Sequence, residues 1–128
     1  MRRDFRLPEE DEAFLNALGL RWETIKVAGV GWLLIHEYSL PSGYCCQTAT
    51  LAIRIEAAYP PGKLDMGYFF PPLARADGKP INGLTPFQIE GKTFQQWSRH
   101  YDWLPEEHSL VTHLGCVEHW LNSELQKR

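Results

Sequence analysis

Ser98, Arg99 and His100 fall in the run Gln95-Gln96-Trp97-Ser98-Arg99-His100-Tyr101-Asp102-Trp103, the densest group of reactive side chains in the chain. A serine two residues from a histidine, with an arginine between them and Asp102 close by, offers a nucleophile, a base and a donor for a developing oxyanion. Those are the parts of an acyl-transfer site. Spacing limits the reading, because in extended backbone Ser98 and His100 share a face with side chains roughly 7 Å apart. A direct hydrogen bond between them needs a turn. Without one, His100 would orient a carbonyl or hold a partner's tail. Trp97 and Trp103 read as core anchors.

Other reactive residues carry less. Cys45 and Cys46 fall in a strand pattern, where a buried, inert thiol is the usual outcome. As neighbours on a strand they point to opposite faces and do not pair. Cys116 and His119 are three apart in a helical pattern, but no second ligand pair stands at suitable spacing, so no metal is expected. His36 reads as a hydrogen-bonded structural residue of a strand. The acidic run Glu9-Glu10-Asp11-Glu12 reads as the solvated start of a helix, where carboxylates favour the positive end of the dipole. No Gly-rich phosphate loop, His-Glu-x-x-His or Gly-x-Ser-x-Gly is present. No cofactor is expected.

The elements that must position the Ser98 run can be read from periodicity. Glu9 to Leu18 is predicted helical, with Phe14, Leu15 and Leu18 as its apolar stripe and Gly19 as its stop. Trp22 to Val27 and Gly31 to Leu40 read as strands. The second places Trp32, Leu34, His36 and Tyr38 on one face and Leu33, Ile35, Glu37 and Ser39 on the other. Pro41-Ser-Gly43 is a turn. Tyr44 to Ala58 is a longer strand pattern in which Ala49, Leu51, Ile53 and Ile55 share a face. Met66 to Phe70 is another strand, stopped by Pro71-Pro72.

Leu73 to Pro86 reads as a loop, Phe87 to Phe94 as a small hairpin around Glu90-Gly91, and Trp97 to Pro105 as irregular. Glu106 to Gln126 fits an amphipathic helix with Leu110, Leu114, Val117, Leu121 and Leu125 on one face. Gly115 inside it costs about 1 kcal/mol against alanine or permits close packing on a sheet. One helix, a run of antiparallel strands and a long final helix give an α+β sandwich.

With 128 residues the chain has room for one real core, and a single domain over 1–128 is expected. Its net charge of −3 is of mixed sign and gives no electrostatic case for nucleic acid or an anionic membrane. The charged start, Met1-Arg-Arg-Asp-Phe-Arg-Leu-Pro8, lacks the apolar run of a signal peptide. The apolar run near Val30 to Ile35 is too short to span a bilayer. Three cysteines do not form a disulfide framework, and a reducing cytoplasmic location is expected.

Taken in order, Leu40-Pro-Ser-Gly-Tyr44, Tyr59-Pro-Pro61, Leu64-Asp-Met-Gly-Tyr-Phe-Phe-Pro-Pro-Leu73, Trp97-Ser-Arg-His100 and Trp103-x-Pro105 resemble the ubiquitin-conjugating (UBC-like) superfamily over nearly the whole chain. More narrowly they resemble its prokaryotic family E. The resemblance implies an N-terminal helix, a four-stranded antiparallel meander, an active-site loop and helical structure at the C-terminus. It also implies three partners: a ubiquitin-like modifier protein, an adenylating activating enzyme and a JAB-type metalloprotease. The protein would accept the modifier's C-terminus and pass it to an amine or hydroxyl.

The chain departs from the family pattern at the position of the usual cysteine, eight residues before the Trp of Trp-x-Pro, which is Gln95 here. The usual His-Pro-Asn triplet is also absent, and Asn82 in Pro80-Ile-Asn-Gly83 matches its region only loosely. The resemblance therefore implies one of two roles. Ser98 carries the modifier as an oxyester, with His100 as general base and Arg99 near the oxyanion, or the domain is a non-catalytic binding subunit of the same pathway. A small hydrolase using the same Ser/His pair is a third reading, supported by that pair alone.

Overall fold

In the computed structural model, residues 2–59, 63–99, 101, 103–104 and 106–126 are described. His100, Asp102, Pro60, Pro61 and Pro105, all named above, lie outside them. The elements are α1 (Glu9–Ala17), β1 (Trp22–Val27), β2 (Val30–Ser39), β3 (Thr48–Ile55), β4 (Gly67–Phe70), β5 (Leu84–Ile89), β6 (Lys92–Trp97) and α2 (Leu110–Leu125).

The strands form one antiparallel sheet in the order β1-β2-β3-β4-β6-β5. The expected four-stranded meander is β1 to β4. The hairpin expected around Glu90-Gly91 is longer than its apolar residues suggest and joins the same sheet through β6, giving six strands. Two-residue turns close both hairpins. Ala28-Gly29 and Glu90-Gly91 each have positive φ at both positions, the conformation whose twist matches paired strands. At the other edge, the N-terminal arm lies along β1, with Thr24 N donating to the Arg2 carbonyl and Asp4 N to the Thr24 carbonyl. That covers an otherwise open strand edge.

Both faces of the sheet are buried. The helical side collects Leu15, Leu33, Ile35, Leu51, Ile53, Phe69, Trp97 and the α2 residues Leu110, Leu114, Val117 and Leu121. The opposite side holds Ile25, Trp32, Ala52, Tyr68, Ile89 and Phe94. The β5–β6 hairpin curls back over this second face, so that Phe87 packs 5.6 Å from the Trp32 ring and 5.3 Å from Tyr68.

Strict alternation along β2 does not hold to its end. The register with β3 shifts between Ile35 and Tyr38, and Glu37 takes a positive φ of 56°. This bulge turns Tyr38 onto the helical side with Leu33 and Ile35, instead of leaving it with Trp32 and Leu34. β3 begins at Thr48, so Cys45 and Cys46 precede it in a loop, and Cys45 is exposed rather than buried. His36 is hydrogen-bonded as expected, with Nε2 2.7 Å from Glu23 Oε1.

α1 departs from expectation at two positions. Leu18 is largely exposed, while Asp11, expected in solvent, is 1% exposed. Tyr59 explains the buried carboxylate. Its hydroxyl donates to Asp11 Oδ2 at 2.5 Å and accepts the Leu110 backbone N–H at 2.8 Å, joining α1 to the first residue of α2. Tyr59→Phe leaves both groups without this partner and is expected to cost about 1–3 kcal/mol. Urea denaturation measures it, and a loss below about 0.5 kcal/mol would show that water replaces the hydroxyl.

α2 starts at Leu110 rather than Glu106. Thr112 Oγ1 accepts the Ser109 N–H at 2.8 Å and closes the first turn. Its apolar stripe packs as the periodicity predicts. A Cβ on Gly115 would meet nothing within 4 Å, so no close approach offsets its helical cost.

Candidate functional site

Ser98 is the first residue beyond β6, and the strand fixes it from one side. Trp97 is 1% exposed, packs edge-on against Phe69 and donates its indole N–H to the Asn82 carbonyl at 3.2 Å. The Ser98 N–H donates to the Gly83 carbonyl at 2.9 Å, extending the β5–β6 pairing by one bond. Gly83 has φ +82°, and a Cβ there would lie 3.0 Å from Arg99 Nη1 and 3.3 Å from the Ser98 carbonyl oxygen. Only glycine suits that position.

Arg99 holds Ser98 from the other side. Its Nη1 donates to the Ser98 carbonyl at 2.9 Å and reaches the Asn82 carbonyl at 3.4 Å. Its Nη2 donates to Glu124 Oε1 at 3.3 Å, and the guanidinium lies 4.8 Å from the Trp97 ring centre. Glu124, near the end of α2, is only 3% exposed and also faces Arg75 Nη1 at 3.7 Å. Arg75 is buried in turn, paired with Asp77 and donating to the Glu124 backbone carbonyl. Asn82 contributes its backbone carbonyl to this arrangement.

The Ser98 side chain is half-buried, and among the described residues its hydroxyl has no hydrogen-bond partner. Arg99 sits beside it, with Nη1 on the Ser98 and Asn82 carbonyls and Nη2 on Glu124. His100 lies outside the described residues.

Past Ser98, the loop is fastened to α2 by Tyr101. Its ring lies 5.7 Å from His113, 5.4 Å from His108, 6.1 Å from Trp120 and 6.2 Å from Trp103. His113 is fully buried, with Nε2 2.8 Å from the Met66 carbonyl and Nδ1 2.8 Å from the Tyr101 hydroxyl. A carbonyl only accepts, so Nε2 carries the proton, Nδ1 accepts and the Tyr101 O–H donates. Burial pushes His113 down to about 4, against a smaller opposing effect of the Met66 carbonyl and Asp65. Burial also raises the Tyr101 phenol. The pair is a neutral anchor.

His113 and Glu124 escape a reading that searches for apolar periodicity. Both stand on the buried stripe of α2, at the positions that Leu110, Leu114, Val117 and Leu121 define. A polar residue on that stripe was the available signal. Among the described residues, no three His, Cys, Asp or Glu side chains converge to hold a metal ion, and no helix is long and apolar enough to cross a membrane. A cleft of about 430 Å³ between the N-terminal arm and the β1–β2 turn is lined by Phe5, Lys26, Gly31, Arg54 and Tyr59 among others, but by neither Ser98 nor Arg99.

No curated protein and no solved structure matches this chain. The family model Prokaryotic E2 family E matches residues 7–124, taking in every secondary-structure element but the last residue of α2. The role this family implies is in ubiquitin-like conjugation, with a ubiquitin-like modifier and an activating enzyme as the implied partners. The helix-sheet-helix order and the match together show that the chain belongs to the prokaryotic E2 family E.

Proposed function

We propose that this protein carries the C-terminal acyl group of a ubiquitin-like modifier on Ser98 as an oxyester and passes it to a target amine or hydroxyl. Ser98 Oγ attacks the activated carbonyl carbon of the modifier held by the adenylating enzyme. The new C–O bond forms as the bond to the activating group breaks, and the hydroxyl proton passes to His100. In the second step the target's nucleophile displaces Ser98, which recovers a proton. A JAB-type metalloprotease would remove the modifier.

One observation carries this reading: a hydroxyl without a partner among the described residues, on backbone pinned at both its N–H and its carbonyl. Fixed placement matters because an oxyester is a weaker acyl donor than a thioester and relies on positioning. Arg99 serves the site by holding the Ser98 carbonyl, and the adjoining guanidinium charge favours a nearby oxyanion. The second reading, a binding subunit of the same pathway, is favoured by the engagement of both Arg99 and His113, which leaves neither free to activate Ser98.

Incubation with the activating enzyme, the modifier and ATP is expected to give a covalent adduct that Ser98→Ala abolishes. The bond should survive mild thiol and yield to base or hydroxylamine. Thiol lability would transfer the role to Cys45, Cys46 or Cys116. Absence of an adduct, with binding to the activating enzyme retained, would select the binding-subunit reading.

A further inference from the structure

Glu124 and Arg75 stand behind Arg99 and have no part in the proposed chemistry. Glu124 lies between Arg99 and Arg75, and both Glu124 and Arg75 are almost wholly removed from solvent. A hydrophobic trio of similar volume would hold such a junction as well or better, because desolvating three charges offsets most of their attraction. What charges add is direction. Arg99 is a planar fork that meets two carbonyls and a carboxylate at set angles, which an apolar side chain does not do.

We infer that Glu124 is a positioning residue, which through Arg99 fixes the backbone on which Ser98 presents its hydroxyl. The linkage runs in hydrogen-bonded steps. Arg75 holds the Glu124 backbone carbonyl and faces its carboxylate; Glu124 Oε1 accepts from Arg99 Nη2; and Arg99 Nη1 holds the Ser98 carbonyl at 2.9 Å. The Gly83 carbonyl takes the Ser98 N–H and completes the bracket. In this way the last turn of α2 and the loop containing Arg75 set the position of a residue at the far end of β6. This rests on the proposed role of Ser98. A displacement of the order of 1 Å at an attacking group costs roughly 10²-fold in rate.

The test uses the full chain with the activating enzyme, the modifier and ATP, and two variants. Glu124→Gln removes the charge, and Arg99→Gln alters a more accessible partner that leaves the core intact. Both are expected to slow formation of the Ser98 adduct at least about tenfold, by the same positional argument. Both should speed hydrogen exchange of the Ser98 amide without changing the amides of β2 and β3, a local signature that general destabilisation does not give. Arg99→Lys should recover part of the rate, since it keeps the charge facing Glu124. Wild-type rate and wild-type Ser98 exchange in either folded variant overturn the inference while leaving the Ser98 reading intact. An adduct that persists in Ser98→Ala overturns that reading, and the inference with it.

Discussion

Lowering the pH from 7 to 4 is expected to remove about 3 kcal/mol of folding stability through His113 alone. The folded protein holds this imidazole down at about 4, against 6.5 for a solvated histidine. Between those values the unfolded chain binds a proton that the folded protein refuses. Stability is therefore full above pH 6.5, declines as pH falls through the window and levels off near 4 as far as this group is concerned. The slope approaches about 1.4 kcal/mol per pH unit.

Asp11 works in the opposite sense. Burial raises its carboxyl despite the Tyr59 hydrogen bond, so the folded state gains its proton first and recovers some stability in acid. Carboxylates held low by arginines, Glu12 by Arg6 and Asp4 by Arg2, lose their contribution only below the ordinary carboxylate range. Urea titrations at half-unit steps from pH 7 to 5, run side by side on the protein and on His113→Gln, isolate this imidazole. His113→Gln should be less stable at pH 7 but should flatten the slope. An unchanged slope in that variant would refute the assignment. Protonating Nδ1 also removes the acceptor of the Tyr101 hydroxyl, so the loop following Ser98 should loosen over the same range.

Arg75→Leu is expected to destabilise the fold by about 3–5 kcal/mol, because it takes from the buried Glu124 carboxylate an arginine that it faces. It also removes the Arg75 Nη1 donor from the Glu124 carbonyl at the end of α2. The informative comparison is the double variant Arg75→Leu with Glu124→Leu. It should be more stable than Arg75→Leu alone, since it removes the stranded charge along with its partner. Additive losses in the double variant would mean that the two side chains do not interact. Chemical denaturation of the four proteins in the cycle gives the answer.

Sequence pattern accounts for most of the framework. β1 has the predicted bounds, the β3 face is as predicted, and the α2 stripe packs where its spacing places it. Three features lay beyond that pattern. Tyr38 changes face because one inserted residue at the β2 bulge shifts a period of two, and Glu37 carries no marker of the positive φ it adopts. Asp11 is buried because Tyr59, distant in sequence, supplies a donor for it. β5 is a full strand although it is mostly exposed, because it pairs along its whole length with β6, which Phe94 and Trp97 anchor in the core.

At the candidate site the sequence pattern puts Ser98 and Arg99 in an irregular segment that begins at Trp97, whereas β6 runs through Trp97 and leaves Ser98 as the first residue beyond it. Arg99 turns toward the Ser98 backbone and Glu124, a direction that sequence adjacency to Ser98 does not convey. Glu124 and Arg75 are far from Ser98 in sequence and reach it only through the packing of α2. The resemblance locates the loop, and tertiary contacts define how it is held.

We propose Ser98 as the acyl carrier. Site-resolved mass spectrometry of the adduct formed with the activating enzyme, the modifier and ATP tests it most directly. The modifier's C-terminal residue is expected in ester linkage on the Ser98 peptide, and absent from that peptide in Ser98→Ala. A modifier attached at Cys45, Cys46, Cys116 or any lysine, with the Ser98 peptide unmodified, would contradict it.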